Sequence, residues 1–330
     1  ARRYYRVVFT NGAAQTDLDL QCVLKKGGIK ASSHRIQDAI VDEDDAELTT
    51  SVLKAKANGS GFVNIEATSS NNLRVTDAES GLAIAKGDVV GHSFIHKFGF
   101  APDFAASDNE VTIWDGADNT PAWTKMIYNY SATADIQYIS SNNAGDTVDI
   151  EVQGLDANYD LVTQTKTLTG QTSATLDTPL IRVFRLKNVG ATALVGSVFV
   201  STTTAPAGGV PTTANIRAII QPGNEQTEMA VYTIPAGKTG YIRSFNIAQA
   251  GANKATNYVF RLLARPDGGV FQLKHRTALA ASGNPYQHHY EEPSGGFSEK
   301  TDIQMTVEIT ANGVTGAGAV GGFDIVLVDN

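Results

Sequence analysis

Six histidines, one cysteine and several acidic clusters are the residues of this chain that could support catalysis or hold a metal. His92 and His96 are four apart, a spacing that places two side chains on one side of a helix. The zinc-protease pattern requires a glutamate directly after the first histidine, and position 93 is serine. The run Ser93-Phe94-Ile95-His96-Lys97-Phe98 reads as a strand, so core or turn histidines are expected there. His288-His289 followed by Glu291-Glu292 offers metal-ligating side chains. Adjacent strand positions face opposite ways, however, and do not converge on one ion. Cys22 stands alone, which excludes intrachain disulfides and cysteine-based zinc sites and leaves it as a small buried hydrophobe.

The acidic group at 42–47 lacks the alternating Asp/Asn and Gly of a calcium loop. A solvated helix face, or contact with a basic partner, is the expected role. Trp114, Trp123, Tyr128 and Tyr130 could form a sugar-stacking surface, in competition with core or subunit packing. A carboxylate pair for glycoside hydrolysis converges only in three dimensions and stays open. No Gly-x-Gly-x-x-Gly opens a helix, no phosphate loop occurs, and Ser60 and Ser80 carry no nucleophile elbow. No catalytic, cofactor-binding or metal residue is assigned, no cofactor is expected, and the chain is expected not to be an enzyme.

The elements that would position these residues are mostly strands. With 31 Gly, 10 Pro and frequent Thr, Ser and Asn, the composition suits many strands joined by tight turns. Val148, Ile150 and Val152 alternate with Asp149, Glu151 and Gln153. Ile303, Met305, Val307 and Ile309 alternate with Gln304, Thr306, Glu308 and Thr310. Period two of this kind sends one face to a core and the other to water. Ile325-Val326-Leu327-Val328 reads as a fully buried strand. The first 90 residues are mixed, with short strands at Tyr4–Phe9 and Gln21–Leu24 and a helix over Ser33–Ala57 stopped by Asn58-Gly59.

A weak internal repeat organises the remainder. Ile136–Ile139, Val148–Val152, Leu161–Thr165, Ile181–Phe184 and Gly196–Val200 recur in order. Their counterparts are Ile242–Phe245, Tyr258–Leu263, Val270–Lys274, Ile303–Thr306 and Gly322–Val326. The spacing is about 105 to 125 residues, suited to one sandwich or jelly roll. Between the copies, Thr202–Pro211 is rich in small residues and proline and reads as a linker. The expected fold is mainly β: a mixed docking region at 1–90, a β-sandwich at 91–205 and a second, jelly-roll-like sandwich at 212–330.

The formal net charge of -8 argues against nucleic acid, since only Arg2, Arg3 and Arg6 approach a basic cluster. No apolar run reaches the ~18 residues of a membrane span, and no signal peptide opens the chain. A soluble protein made in a reducing cytoplasm is expected.

Ile95-His96-Lys97-Phe98-Gly99 with Pro102, Ile113-Trp114-Asp115-Gly116 and Tyr138-Ile139-Ser140-Ser141 occur in that order. Asn143-Ala144-Gly145-Asp146-Thr147 and Val152-Gln153-Gly154-Leu155-Asp156 follow them. This succession, over about a third of the chain, resembles structural proteins of tailed bacteriophages, especially a group common in marine phages. The stretch Tyr232–Thr239 leading into Tyr241–Ile247 is similar to a jelly-roll domain of such appendages. The resemblance implies a virion location, as a head-decoration protein or a neck or head-tail fibre. It also implies a homotrimer that docks on capsid, portal, neck or tail proteins. It implies no catalytic residue. A receptor- or carbohydrate-binding module directed at host glycans is the first alternative, and a glycan-degrading enzyme the second.

Overall fold

The computed structural model describes residues 54–56, 62–64, 81–105, 108–117, 127–251, 257–280, 284–310 and 316–330. Cys22, the acidic group at 42–47, Trp123, the two N-terminal strands and most of the expected helix lie outside them. The end of that helix is corrected: Lys54–Lys56 is a strand (β1) paired antiparallel with Phe62–Asn64 (β2). Ala55 opposes Val63 there, and strand pairing overrides local helix propensity. This hairpin belongs to a compact unit separate from residues 77–330.

In residues 77–330 a short helix, Gly81–Ala85 (α1), precedes two sandwiches of antiparallel strands. The first uses β5 (Ile136–Ser141), β6 (Asp149–Leu155), β7 (Leu161–Thr167), β8 (Ala174–Leu180), β9 (Arg182–Asn188), β10 (Val198–Ser201) and β11 (Ile216–Ile220). Its sheets run β11-β10-β5-β8 and β7-β6-β9. The second uses β13 (Lys238–Gly251), β14 (Asn257–Arg265), β15 (Gln272–Ala280), β16 (Tyr286–Phe297), β17 (Asp302–Ile309) and β18 (Ala317–Asp329). It is completed by β3 (His92–Phe104), β4 (Glu110–Thr112) and β12 (Val231–Thr233), giving sheets β16-β13-β18-β3 and β12-β17-β14-β15. Replace β5 through β10 by β13 through β18 and the inner pairings coincide, so the sequence repeat maps onto one shared strand order.

The outer strands differ, and they reveal how the sandwiches are joined. β18 is flanked by β3, which comes at the start of the second sandwich, whereas β10 is flanked by β11, which comes near the end of the first. The equivalent edge of β9 is filled by residues 225–227, through Asn188 N to Glu225 O at 2.8 Å and Thr227 N to Leu186 O at 3.0 Å. The two sandwiches therefore share strand positions in a permuted chain order. β4 and β12 both lie on β17, and the whole first sandwich is inserted between them. The chain leaves and returns as a pair of antiparallel segments, with Ala230 N bonded to Ile113 O at 2.9 Å and Asp115 N to Glu228 O at 3.0 Å.

Sheet membership consequently departs from the expected segmentation at 91–205 and 212–330. β3 and β4 belong with the C-terminal strands, and β11 belongs with the first sandwich. Thr202–Pro211 is the connection of a β10–β11 hairpin, folded back on β5. Gly208 and Gly209 have positive φ, and Ser140 Oγ donates to Gly209 O at 2.9 Å. Small residues and prolines serve such a return as readily as they serve a linker.

The expected alternation holds in β6, where Ile150 and Val152 are buried. In β17 it holds for Ile303, Met305, Val307 and Ile309, but Gln304 and Thr306 are buried as well. Segment 127–131 covers this second face, and Tyr128 N donates to Thr112 Oγ1 at 2.8 Å beside Gln304.

Candidate functional site

Three places gather functional side chains. The first is a buried polar seam joining the sandwiches. Arg182 opens β9, and Asp302 opens β17. Arg182 Nε donates to Asp302 Oδ1 at 2.8 Å and Nη2 to Oδ2 at 3.1 Å. Arg265, at the end of β14, donates to Oδ2 at 2.5 Å and 3.1 Å, and Thr233 Oγ1 donates to Oδ1 at 2.6 Å. Two guanidiniums and a hydroxyl thus satisfy one buried carboxylate. Arg182 Nη1 also donates to Ser131 O at 2.6 Å, which ties segment 127–131 into the seam. Burial alone would disfavour the Arg182 charge, but the hydrogen bond and charge of Asp302 outweigh it and raise its pKa.

Tyr130 lies between Arg182 and Arg265, with guanidinium carbons 5.1 and 4.8 Å from its ring centre. Tyr128 stacks edge-on against both Trp114, at 5.1 Å, and Tyr130, at 4.8 Å. Burial, and after it Asp302, push the Tyr130 hydroxyl well above its ordinary range. For Trp114, Tyr128 and Tyr130 these positions favour core packing over the competing sugar-stacking surface. Trp114 and Tyr128 are core residues of the junction, and Tyr130 packs against that core.

The second place is the edge of the second sandwich between β15 and β16. His275, His288, Tyr286 and Tyr290 collect around the buried Phe245 ring, with His275 and His288 ring centres 5.3 Å apart. His275 Nε2 meets Thr277 Oγ1 at 2.9 Å. Burial, with the neighbouring His288, lowers the His275 pKa. His289, next to His288, is exposed. Of the other expected pair, His92 lies near Val90 O, and His96 contacts Asp324 at 2.6 Å. Among the described residues, no group of three or more His, Cys, Asp or Glu side chains is placed to hold a metal.

The third place surrounds β3. Its outward positions Phe94, His96, Phe98 and Phe100 form a row on one face of the four-stranded sheet, with Phe94, and Val320 opposite Phe100, each 37% exposed. On the other side of the strand, Lys97 is only 7% exposed and faces the inserted sandwich. Lys97 and Arg182 escaped sequence reasoning. The only signal was a charged residue inside each apolar strand pattern, Ile95–Phe98 and Ile181–Phe184. Asp302 gave none, because it precedes its strand pattern.

The sequence matches no known family and no curated protein.

Proposed function

We propose that this chain is a non-enzymatic structural protein of a bacteriophage particle, a head-decoration or neck and head-tail fibre component that works by contact. The observation that carries the contact reading is the aromatic row Phe94, Phe98 and Phe100, set on a sheet face beside the exposed Val320. A rigid sheet face of this kind is suited to packing against another protein. Self-association as a homotrimer, and docking on capsid, portal, neck or tail proteins, come from the resemblance to phage structural proteins. A welded pair of sandwiches suits a part that must hold its shape while bearing load. Host-glycan binding through Trp114 and Tyr128 loses ground, because sugar would reach them only after the junction opened.

Peptide mass spectrometry of purified phage particles tests the location. The chain is expected in stoichiometric amounts with the capsid or neck proteins. Its absence from particles, with free protein in the lysate, would overturn the assignment.

A further inference from the structure

Lys97 is a buried amine with no carboxylate partner among the described residues. Its Nζ donates to the Phe184 carbonyl and sits 5.8 Å from the Phe184 ring centre. A second cation, Arg185 of β9, acts electrostatically on this amine, and its side chain donates to the Gln226 amide oxygen at 3.1 Å. Buried charges in folded proteins are ordinarily paired, and an unpaired one is costly. Four described acids on the surrounding segments accept from other groups. Glu151 accepts from Gln153, Glu225 from Asn188 and Glu228 from Asn224, while Asp324 on β18 is taken by His96 and Ser244.

Beside this amine runs a groove of about 340 Å³. Phe94, Phe184 and Tyr232 form its apolar wall, and Gln153, Gln226 and Arg185 supply polar groups. That size falls within the range of small-ligand sites. An ammonium has three donors, and Lys97 uses one of them on the Phe184 carbonyl. The groove holds the Arg185 guanidinium, a titratable amine with spare donors and an apolar wall.

We propose that the groove at Lys97 and Arg185 binds a carboxylate carrying an apolar group, which completes the ion pair that the described residues leave open. The carboxylate comes either as a free small organic acid or as a side chain of a second copy. Binding must be linked to protonation. Burial, then Arg185, pull Lys97 down to about 7. An incoming anion favours the charged amine, so binding at pH 7 takes up roughly half a proton from solution.

Isothermal titration of the whole chain with benzoate, in two buffers of different ionisation enthalpy, reads this directly. Saturable binding with proton uptake is expected. It should weaken about tenfold or more in Lys97→Met and in Arg185→Gln, as for loss of a charge-assisted hydrogen bond. Lys97→Met removes a buried charge and is expected to fold; Arg185→Gln keeps the amine and tests the second cation separately. In the arm without added acid, heteronuclear NMR follows the Lys97 titration against protein concentration, and an upward shift assigns the carboxylate to a second copy. Equal benzoate affinity in Lys97→Met would overturn the proposal. So would displacement by chloride as effective as by organic acids, which would leave an adventitious ion only. Absence of both benzoate heat and concentration dependence would do the same.

Discussion

Arg182 and Asp302 stand 120 residues apart in the chain and meet through two hydrogen bonds, at 2.8 and 3.1 Å, with both side chains buried. One comes from the inserted sandwich and the other from its host, so this contact ties the two together. A buried ion pair is poor evidence of net stability, because desolvation offsets much of the attraction. Its removal from one side is a different matter, since the partner charge stays behind.

Asp302→Ala leaves the buried Arg182 and the half-buried Arg265 without their counter-charge. A loss of about 3–5 kcal/mol is expected in chemical denaturation. Arg182→Met should cost less, because Arg265 and Thr233 still satisfy the carboxylate. Equal stability of Asp302→Ala and the parent chain would mean that the seam does not hold the sandwiches together.

Lys97 gives the opposite sign. Its folded pKa, about 7, lies below the ordinary 10.5, so the unfolded chain binds more protons between those values. Parent stability therefore rises with pH across that window, and the full penalty is present below it. Lys97→Met should raise stability most below pH 7, with the gain fading as pH approaches 10.5. Denaturation midpoints at both ends of the window check this, and a pH-independent difference would count against a buried titrating amine.

The insertion depends on close backbone approach at Gly99. A Cβ there would strike the Ile113 carbonyl and the Ala230 amide, the pair that bonds the outgoing chain to the returning chain. Gly99→Val should cost about 1–3 kcal/mol by overpacking. The same change at Gly268, where an added Cβ meets nothing, is strained by its positive φ alone. Thermal melts of both variants, with Gly99→Val less stable and Gly268→Val retaining native sheet content, would support the junction. Free tolerance of valine at Gly99 would not.

Much of this architecture was legible in the sequence, and its failures share one cause. Period-two patterns at Val148–Val152 and Ile303–Ile309 located β6 and β17, because a strand's own side chains record which face meets a core. The repeat aligned strands that occupy equivalent sheet positions. Which strand lies beside which is recorded nowhere locally. β3 finds β18 across more than two hundred residues, as in the contact of His96 with Asp324. Gln304 and Thr306 looked solvent-facing because the segment that covers them is remote in the chain. Thr202–Pro211 looked like a linker because a hairpin return draws on the same residues. At the candidate sites, Lys97 and Arg182 registered only as charges in apolar strands, and their environments come from distant partners.

Acid should loosen the edge between β15 and β16. The His275 pKa is lowered by burial and by His288, so the unfolded chain takes up this proton first as pH falls through 6.5. Stability associated with the neutral ring is retained above that pH and lost below it. His275→Gln should flatten the fall in melting temperature on acidification, and an unchanged pH profile would remove this edge from the account.

The contact reading rests on a face that ought to be covered in the assembled protein. Native mass spectrometry at micromolar concentration measures that directly. The full chain is expected as a trimer, and Phe94→Asp, on the exposed face, as a folded monomer. A parent chain that flies only as monomer would contradict the claim that this protein acts by packing against its own copies.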